Sequence, residues 1–227
     1  MTGWALHRDA APTWDPPEGP VVVVAPHPDD ETLGAGGLLA LTRDRATVLA
    51  VTDGGSAYPG HVDHDVLAAR RREEQRSALA TLGVDPDRLH RLGITDGAVP
   101  AHEDEVTEAI LDLTPEGATV VAPWIHDHHS DHIACGRAAV RAVALRPDLD
   151  LRAWLFWAYH HTAVERLAPD TLVALDLDED VRRRKERAID AHASQLTGPH
   201  GVAPILDRDL LGPALTSREC FVTRSDR

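Results

Sequence analysis

The sequence predicts an α/β domain: a mostly parallel sheet with helices on both faces. Three observations carry that expectation. Val21-Val22-Val23-Val24-Ala25 is an unbroken apolar, β-rich run, as a central strand buried on both faces requires. Short apolar runs then alternate with longer helical patterns, the order that helical crossovers impose on a parallel sheet. The third is that strand ends run into polar, histidine- or glycine-bearing turns, where such sheets carry their functional loops. At 227 residues, 43% apolar and 26% charged, the chain can bury a core and has the composition of an ordinary globular protein.

In order, residues 1–19 read as an irregular, Pro-rich lead-in, and 20–227 as a single domain. Strand 21–25 is followed by a turn and a helix at 31–43. Gly34, Gly36 and Gly37 weaken that helix, so a close approach of its backbone to a neighbour is expected. Strand 46–51 ends in Thr52-Asp53-Gly54-Gly55, a strong turn signal. A charged helix at 65–82 stops at Gly83, which suits a left-handed cap. Next come strand 88–92, a loop to Pro100, helix 103–113, strand 119–122, a histidine-rich loop and helix 133–145. Strands at 151–159 and 171–177, a basic helix at 179–192 and a late strand around Phe221 complete the pattern.

A formal charge of −14 disfavours nucleic acid or an anionic membrane surface as partner. No apolar run reaches the length of a membrane span. The first twenty residues lack the apolar core of a secretory leader, so a cytoplasmic location is expected. Cys135 and Cys220 read by default as two buried thiols, with a disulfide between them as the alternative, and neither has a CxxC partner.

Chemistry concentrates in two clusters, His27-Pro28-Asp29-Asp30-Glu31 and His126-Asp127-His128-His129-Ser130-Asp131-His132, each after a strand. Four of the fourteen histidines fall in the second. Both are strand-to-helix loops on the same sheet edge, so the topology brings them together. His27 and Asp30 are three apart across a turn, as are His129 and His132. Three ligands drawn from His, Asp or Glu, with spare carboxylate and imidazole for proton transfer, are what a mononuclear metal hydrolase needs. The plainer alternative is that Asp29 or Asp30 caps the following helix and the second cluster is a solvated loop. Two such clusters at equivalent positions argue against it. A nucleotide-binding reading is weak, because no G-x-G-x-x-G follows the first strand.

Ala25-Pro26-His27-Pro28-Asp29-Asp30-Glu31-Thr32-Leu33-Gly34 resembles the A-H-P-D-D-E signature of the PIG-L/LmbE-like zinc-dependent N-deacetylases. His129-Ser130-Asp131-His132 matches that family's H-x-D-H signature. Arg71-Arg72-Glu73-Glu74, Leu92-Gly93 with Asp96-Gly97, and Lys185 with His192-Ala193-Ser194-Gln195 extend the resemblance over most of the chain. It implies a Rossmann-like, LmbE-like domain with His27, Asp30 and His132 as metal ligands and Asp29 as general base. His129 would stabilise the oxyanion, as a protonated ring, or protonate the leaving amine, with Asp131 orienting it. The implied reaction removes an N-acetyl or other N-acyl group from an amino-sugar-containing small molecule through a metal-bound water. Zn2+ is the implied metal, and the donor set also suits Fe2+ or Co2+. The alternatives are an amidase of a thiol conjugate or natural-product glycoside, and a non-catalytic metal-binding relative. A homo-oligomer is compatible with either. His126 and His128 depart from the family pattern; they either compete for the metal or only touch substrate, and no assigned role uses them.

Leu67, Arg71, Glu74, Ala78 and Leu82 share a helical stripe, on which Arg71 either pairs with Glu74 or reaches substrate, as the matching arginine does in mycothiol-pathway relatives. Asp96 is a candidate acceptor for a substrate hydroxyl, or simply a turn former before Gly97. Of nine aromatic residues, Trp154, Phe156, Trp157 and Tyr159 lie together, one alternating pair predicted as core and the other as core or pocket wall. Val181, Lys185, Ala188 and His192 share a face, on which Lys185 and His192 read as structural support for the edge of the site.

Overall fold

The computed structural model describes residues 3–167 and 171–223, so Met1 and Thr2 of the predicted lead-in lie outside it. Seven strands form one sheet: β1 (Val21–Ala25), β2 (Ala46–Thr52), β3 (Leu89–Ile94), β4 (Thr119–Pro123), β5 (Asp150–Trp154), β6 (Leu172–Asp176) and β7 (Arg218–Val222). Their order is β3-β2-β1-β4-β5-β7-β6. The first five pair in parallel, while β7 runs antiparallel between β5 and β6. Val21 is in register with both Ala46 and Thr119, so β1, β2 and β4 start level.

The helices are α1 (Trp4–Ala10), α2 (Asp30–Thr42), α3 (His64–Leu82), α4 (Glu103–Leu113), α5 (Ser130–Leu145), α6 (Ala158–His161), α7 (Glu179–Asp190), α8 (Ala193–Leu196) and α9 (Arg208–Leu211). Alternate residues of β1 explain why the whole strand is apolar. Val21, Val23 and Ala25 pack with Leu38, Leu79 and Ile189 from α2, α3 and α7. Val24 faces the other layer, with Val106 and Ile110 of α4 and Ala138 of α5. Gly83 ends α3 in the left-handed region (φ 88°), as its position suggested.

Two expectations about secondary structure are corrected. The lead-in is not irregular throughout, because α1 forms within it. Buried Trp4 anchors α1: its indole donates to the Thr162 carbonyl (2.9 Å) and its ring packs edge-on against Trp124 and Tyr159. The strand expected at 151–159 stops at Trp154. Its partner β4 ends at Pro123, which pairs with Trp154, and the chain then turns into α6.

The glycines of α2 mark a break. Ala35 has non-helical torsions (φ −140°, ψ 19°), and the amides of Gly37 and Leu38 donate to the Glu219 carboxylate of β7 at 2.8 and 2.9 Å. Buried Lys185 pairs with that carboxylate (2.7 Å) and donates to the Leu33 carbonyl before the break (2.9 Å). A Cβ on Gly34 would lie 2.5 Å from the Trp154 ring, which is the close approach the sequence suggested. Cys135 and Cys220 are both buried free thiols.

Candidate functional site

Strand order reverses between β1 and β4, which places the crevice of an open α/β sheet there. The turn after β1 carries His27 to Asp30, the loop after β4 carries Trp124 to His129, and the turn after β3 adds Asp96. The two clusters meet at this point.

Asp30 sits between two imidazoles: its Oδ2 lies 3.1 Å from His27 Nδ1 and 3.1 Å from His132 Nε2, and accepts the His27 amide at 2.8 Å. His27 Nε2 faces Asp131 and Asp96, each at 3.1 Å. Burial opposes a charged ring, yet hydrogen bonds to Asp131, Asp30 and Asp96 raise His27 well above the ordinary histidine value. Burial likewise opposes protonation of His132, but Asp30 and Asp127 push it up to about 9. Against burial, these same rings hold Asp30 well below the carboxylate range. So many buried carboxylates demand positive charge nearby.

A divalent cation fits that demand. Both ring nitrogens of His132 are buried without an aligned hydrogen bond, although Nε2 is close to Asp30 and Nδ1 lies 3.5 Å from Asp127. Two imidazoles and a carboxylate form a familiar ligand set for such ions. Ring nitrogens of His27, His129 and His132 also lie close enough to share an ion, as do His27, Asp96 and Asp131. His129 is a poor ligand, however. Its Nδ1 accepts the Asp131 amide proton (3.2 Å), which in a neutral ring leaves the proton on Nε2 and removes that lone pair.

The same bond corrects two expectations about His129. Asp131 does contact it, but through the backbone amide; its carboxylate turns instead to His27 and to the Gly97 amide (2.8 Å). The ring was expected to be protonated. Burial, then the positive charge of His27 and His132, lowers its pKa, so it presents a neutral Nε2–H donor.

Asp29 does not cap α2: its side chain makes no capping hydrogen bond. Its backbone lies at φ 144°, a strained region for a residue with a side chain. The buried carboxylate instead meets Arg71 Nη2 at 3.1 Å. Burial raises Asp29 to about 7 although Arg71 works in the other direction. Arg71 does not pair with Glu74, which binds Arg70 (2.9 Å) and Ser194 (2.6 Å). Arg71 points inward, where it also donates to the Gly54 and Pro28 carbonyls at 2.9 and 2.8 Å. Asp96 accepts the Ser56 amide (3.0 Å), and despite burial His27 holds it at about 2.

These groups line a cavity of about 270 Å³. Its polar floor is His27, Asp29, Asp30, Arg71, Asp96 and His129, and its apolar side is Leu33, Trp157, Ile205 and Leu206. Of the predicted site residues, Asp131 and His132 lie just behind the floor. Sequence reasoning missed Asp127, Ile205 and Leu206, and it missed that Gln195 reaches the cavity. Asp127 accepts the amides of His128 and His129 at 2.7 and 3.0 Å while facing His132. Its place beside the histidines was the available signal. His126 packs against Trp124, and His128 stacks on His161 at 4.3 Å. Lys185 and His192 act as expected, supporting α2 from behind: His192 Nε2 bonds Thr32 Oγ1 at 3.2 Å.

The profile of the family PIG-L: GlcNAc-PI de-N-acetylase matches residues 22–143. A Bacillus subtilis protein named "Probable N-acetyl-alpha-D-glucosaminyl L-malate deacetylase 2" is 30% identical over 78% of this chain and 84% of its own length. The diacetylchitobiose deacetylase of Thermococcus kodakarensis is 30% identical over 55% of this chain and 49% of that protein. Among solved structures, a conserved protein from Thermus thermophilus superposes with a TM-score of 0.60 at 30% identity, covering 89% of this chain and 93% of that one.

Proposed function

The chain belongs to the PIG-L family, and from that premise we propose that it is a zinc-dependent N-deacetylase of amino-sugar derivatives. Its named relatives are deacetylases of N-acetylated sugars, and hydrolysis of an acetamido group is the chemistry this site suits. The observation that carries the metal assignment is the convergence of His27 and His132 on one oxygen of Asp30, with both His132 nitrogens unsatisfied. His27, Asp30 and His132 are the proposed ligands, and Asp127 orients His132 from behind. When bound, the ion supplies a Lewis acid for the amide carbonyl and acidifies water.

The protein's own groups divide the remaining work. Asp29, held near neutrality by burial, takes the proton of the attacking water and returns it to the departing amine nitrogen. Arg71 fixes its carboxylate and leaves its remaining oxygen to the cavity. His129 Nε2–H donates to the oxyanion that forms at the former carbonyl, and its fixed orientation comes from the Asp131 amide. Collapse breaks the C–N bond and releases acetate and a free amine. Asp96 is the proposed acceptor for a sugar hydroxyl, a use that its fixed, ionised carboxylate suits.

No helix among the described residues is long and apolar enough to cross a membrane. The reading takes residues 20–227 as one domain working in the cytoplasm on a small-molecule substrate. The test is release of amine and acetate from N-acetylglucosaminides by purified protein, before and after chelation. Loss of activity on chelation and recovery with Zn2+ are expected. Turnover that survives complete removal of divalent metal would refute the metal assignment.

A further inference from the structure

Within this deacetylase reading, on which the inference rests, we propose that the group carrying the acetamido sugar is uncharged. The substrate is a neutral glycoside, and carboxylate- or phosphate-bearing N-acetylglucosaminides are discriminated against.

An anionic group on the substrate would need positive charge to hold it. Arg71 is the one arginine or lysine lining the cavity among the described residues. Both of its terminal nitrogens are committed, Nη1 to the Gly54 carbonyl and Nη2 to the Pro28 carbonyl and Asp29. Its Nε is buried and faces no partner. A guanidinium grips a carboxylate or phosphate through two parallel N–H groups, and no such pair is left.

Helix N-termini are the other usual anion holders. Here the two that adjoin the site each carry the protein's own acids in the first turn, whose negative charge opposes a bound anion. The first turn of α2 carries Asp30 and Glu31, and that of α5 carries Asp131. Beyond Leu206, which closes the apolar side, a neighbouring groove is rimmed by Glu186, Asp190 and Asp207 against the one cation Arg208. The chain's charge of −14 adds a repulsive field of the same sign.

What lies beside the cavity is a run of flat rings. The half-buried Trp157 ring lines the cavity. His161 lies 5.9 Å from it at a 32° tilt, and His128 stacks on His161 at 4.3 Å and 26°. These three rings form a continuous shelf that starts at the cavity wall, with His161 and His128 exposed. Such a shelf suits the C–H face of a second, neutral sugar ring, and it gives His128 a use that the hydrolysis does not.

The experiment is kcat/KM at pH 8 for N-acetylglucosaminides that differ only in the group at the anomeric carbon: methyl, N-acetylglucosaminyl, L-malyl and phosphate. The neutral pair is expected to exceed the anionic pair by at least about tenfold. Trp157→Ala should raise KM for the neutral pair with kcat nearly unchanged, and His161→Ala should do so for the disaccharide alone. Equal or better turnover of the malyl or phosphate compound would overturn the proposal. If none of the four released acetate, the deacetylase reading itself would fail. Calorimetric binding of the methyl and malyl compounds to the same protein would still decide the charge preference, with tighter malyl binding against it.

Discussion

Asp29 keeps a backbone conformation that costs on the order of 1–3 kcal/mol for a residue with a side chain. It persists because its surroundings over-determine it. The Asp29 carbonyl accepts the amides of Thr32 and Leu33 at 3.0 and 2.9 Å, while Arg71 grips its carboxylate and the Pro28 carbonyl before it. The strain turns the carboxylate into the cavity and away from the helix end that it would otherwise cap. His192 shows the opposite use of burial. Its burial, and then the charge of Arg71, lowers its pKa to about 3, so the ring is neutral when folded. An unfolded chain takes up that proton below about 6.5. The stability this neutral ring contributes is therefore whole above pH 6.5 and is lost as pH falls toward 3. The slope is about 1.4 kcal/mol per pH unit. Because neighbouring carboxyls and imidazoles titrate in the same window, the informative readout is a difference. In urea unfolding at pH 7.5, 6 and 5, the stability of wild type relative to His192→Gln should decline as the solution is acidified. A difference that holds constant across those pH values would contradict the burial argument.

At the scale of elements, α2 is the piece on which the site depends. It begins at Asp30, breaks at Ala35 and resumes with its freed amides held by Glu219 and the Leu33 carbonyl before the break held by Lys185. Trp154 fills the space beside Gly34 and is itself fully buried, so it cannot yield to a new methyl group. Gly34→Ala should therefore lower the unfolding free energy by about 1–3 kcal/mol in urea titrations. A neutral result would mean that the close approach is not structural. The glycines announced this contact in the sequence, as the continuous apolar run announced β1. The end of β5 was not legible in the same way. Trp154-Leu155-Phe156-Trp157 has the composition of a strand throughout, yet its pairing with β4 and with β7 stops at Trp154. Helix α1 was hidden for a related reason: Trp4 finds its partners more than a hundred residues away.

For the molecule as a whole, the parallel sheet is what makes a site from two distant clusters. The carboxyl ends of β1 and β4 adjoin at the strand-order reversal, and His27, Asp29 and Asp30 there face His129, Asp131 and His132. Both clusters were legible because metal-binding and proton-transferring groups are rare and were closely spaced. The apolar side of the cavity was not, since Ile205 and Leu206 come from an irregular segment whose path depends on tertiary contacts. One of these is the Tyr58 hydroxyl, which joins the Ser194 carbonyl to the Ile205 amide. Arg71 was found by its position on a helix face, but its partner Asp29 lies in another loop and could not be read from that pattern. In the proposed reading this assembly separates metal holding from proton transfer, with His27, Asp30 and His132 doing the first and Asp29 the second. Its most direct test is metal content and amine release measured together on Asp29→Asn. The expected result is a fall in kcat of about 10²–10⁴-fold with the bound metal retained. Hydrolysis at the wild-type rate by that variant would contradict it.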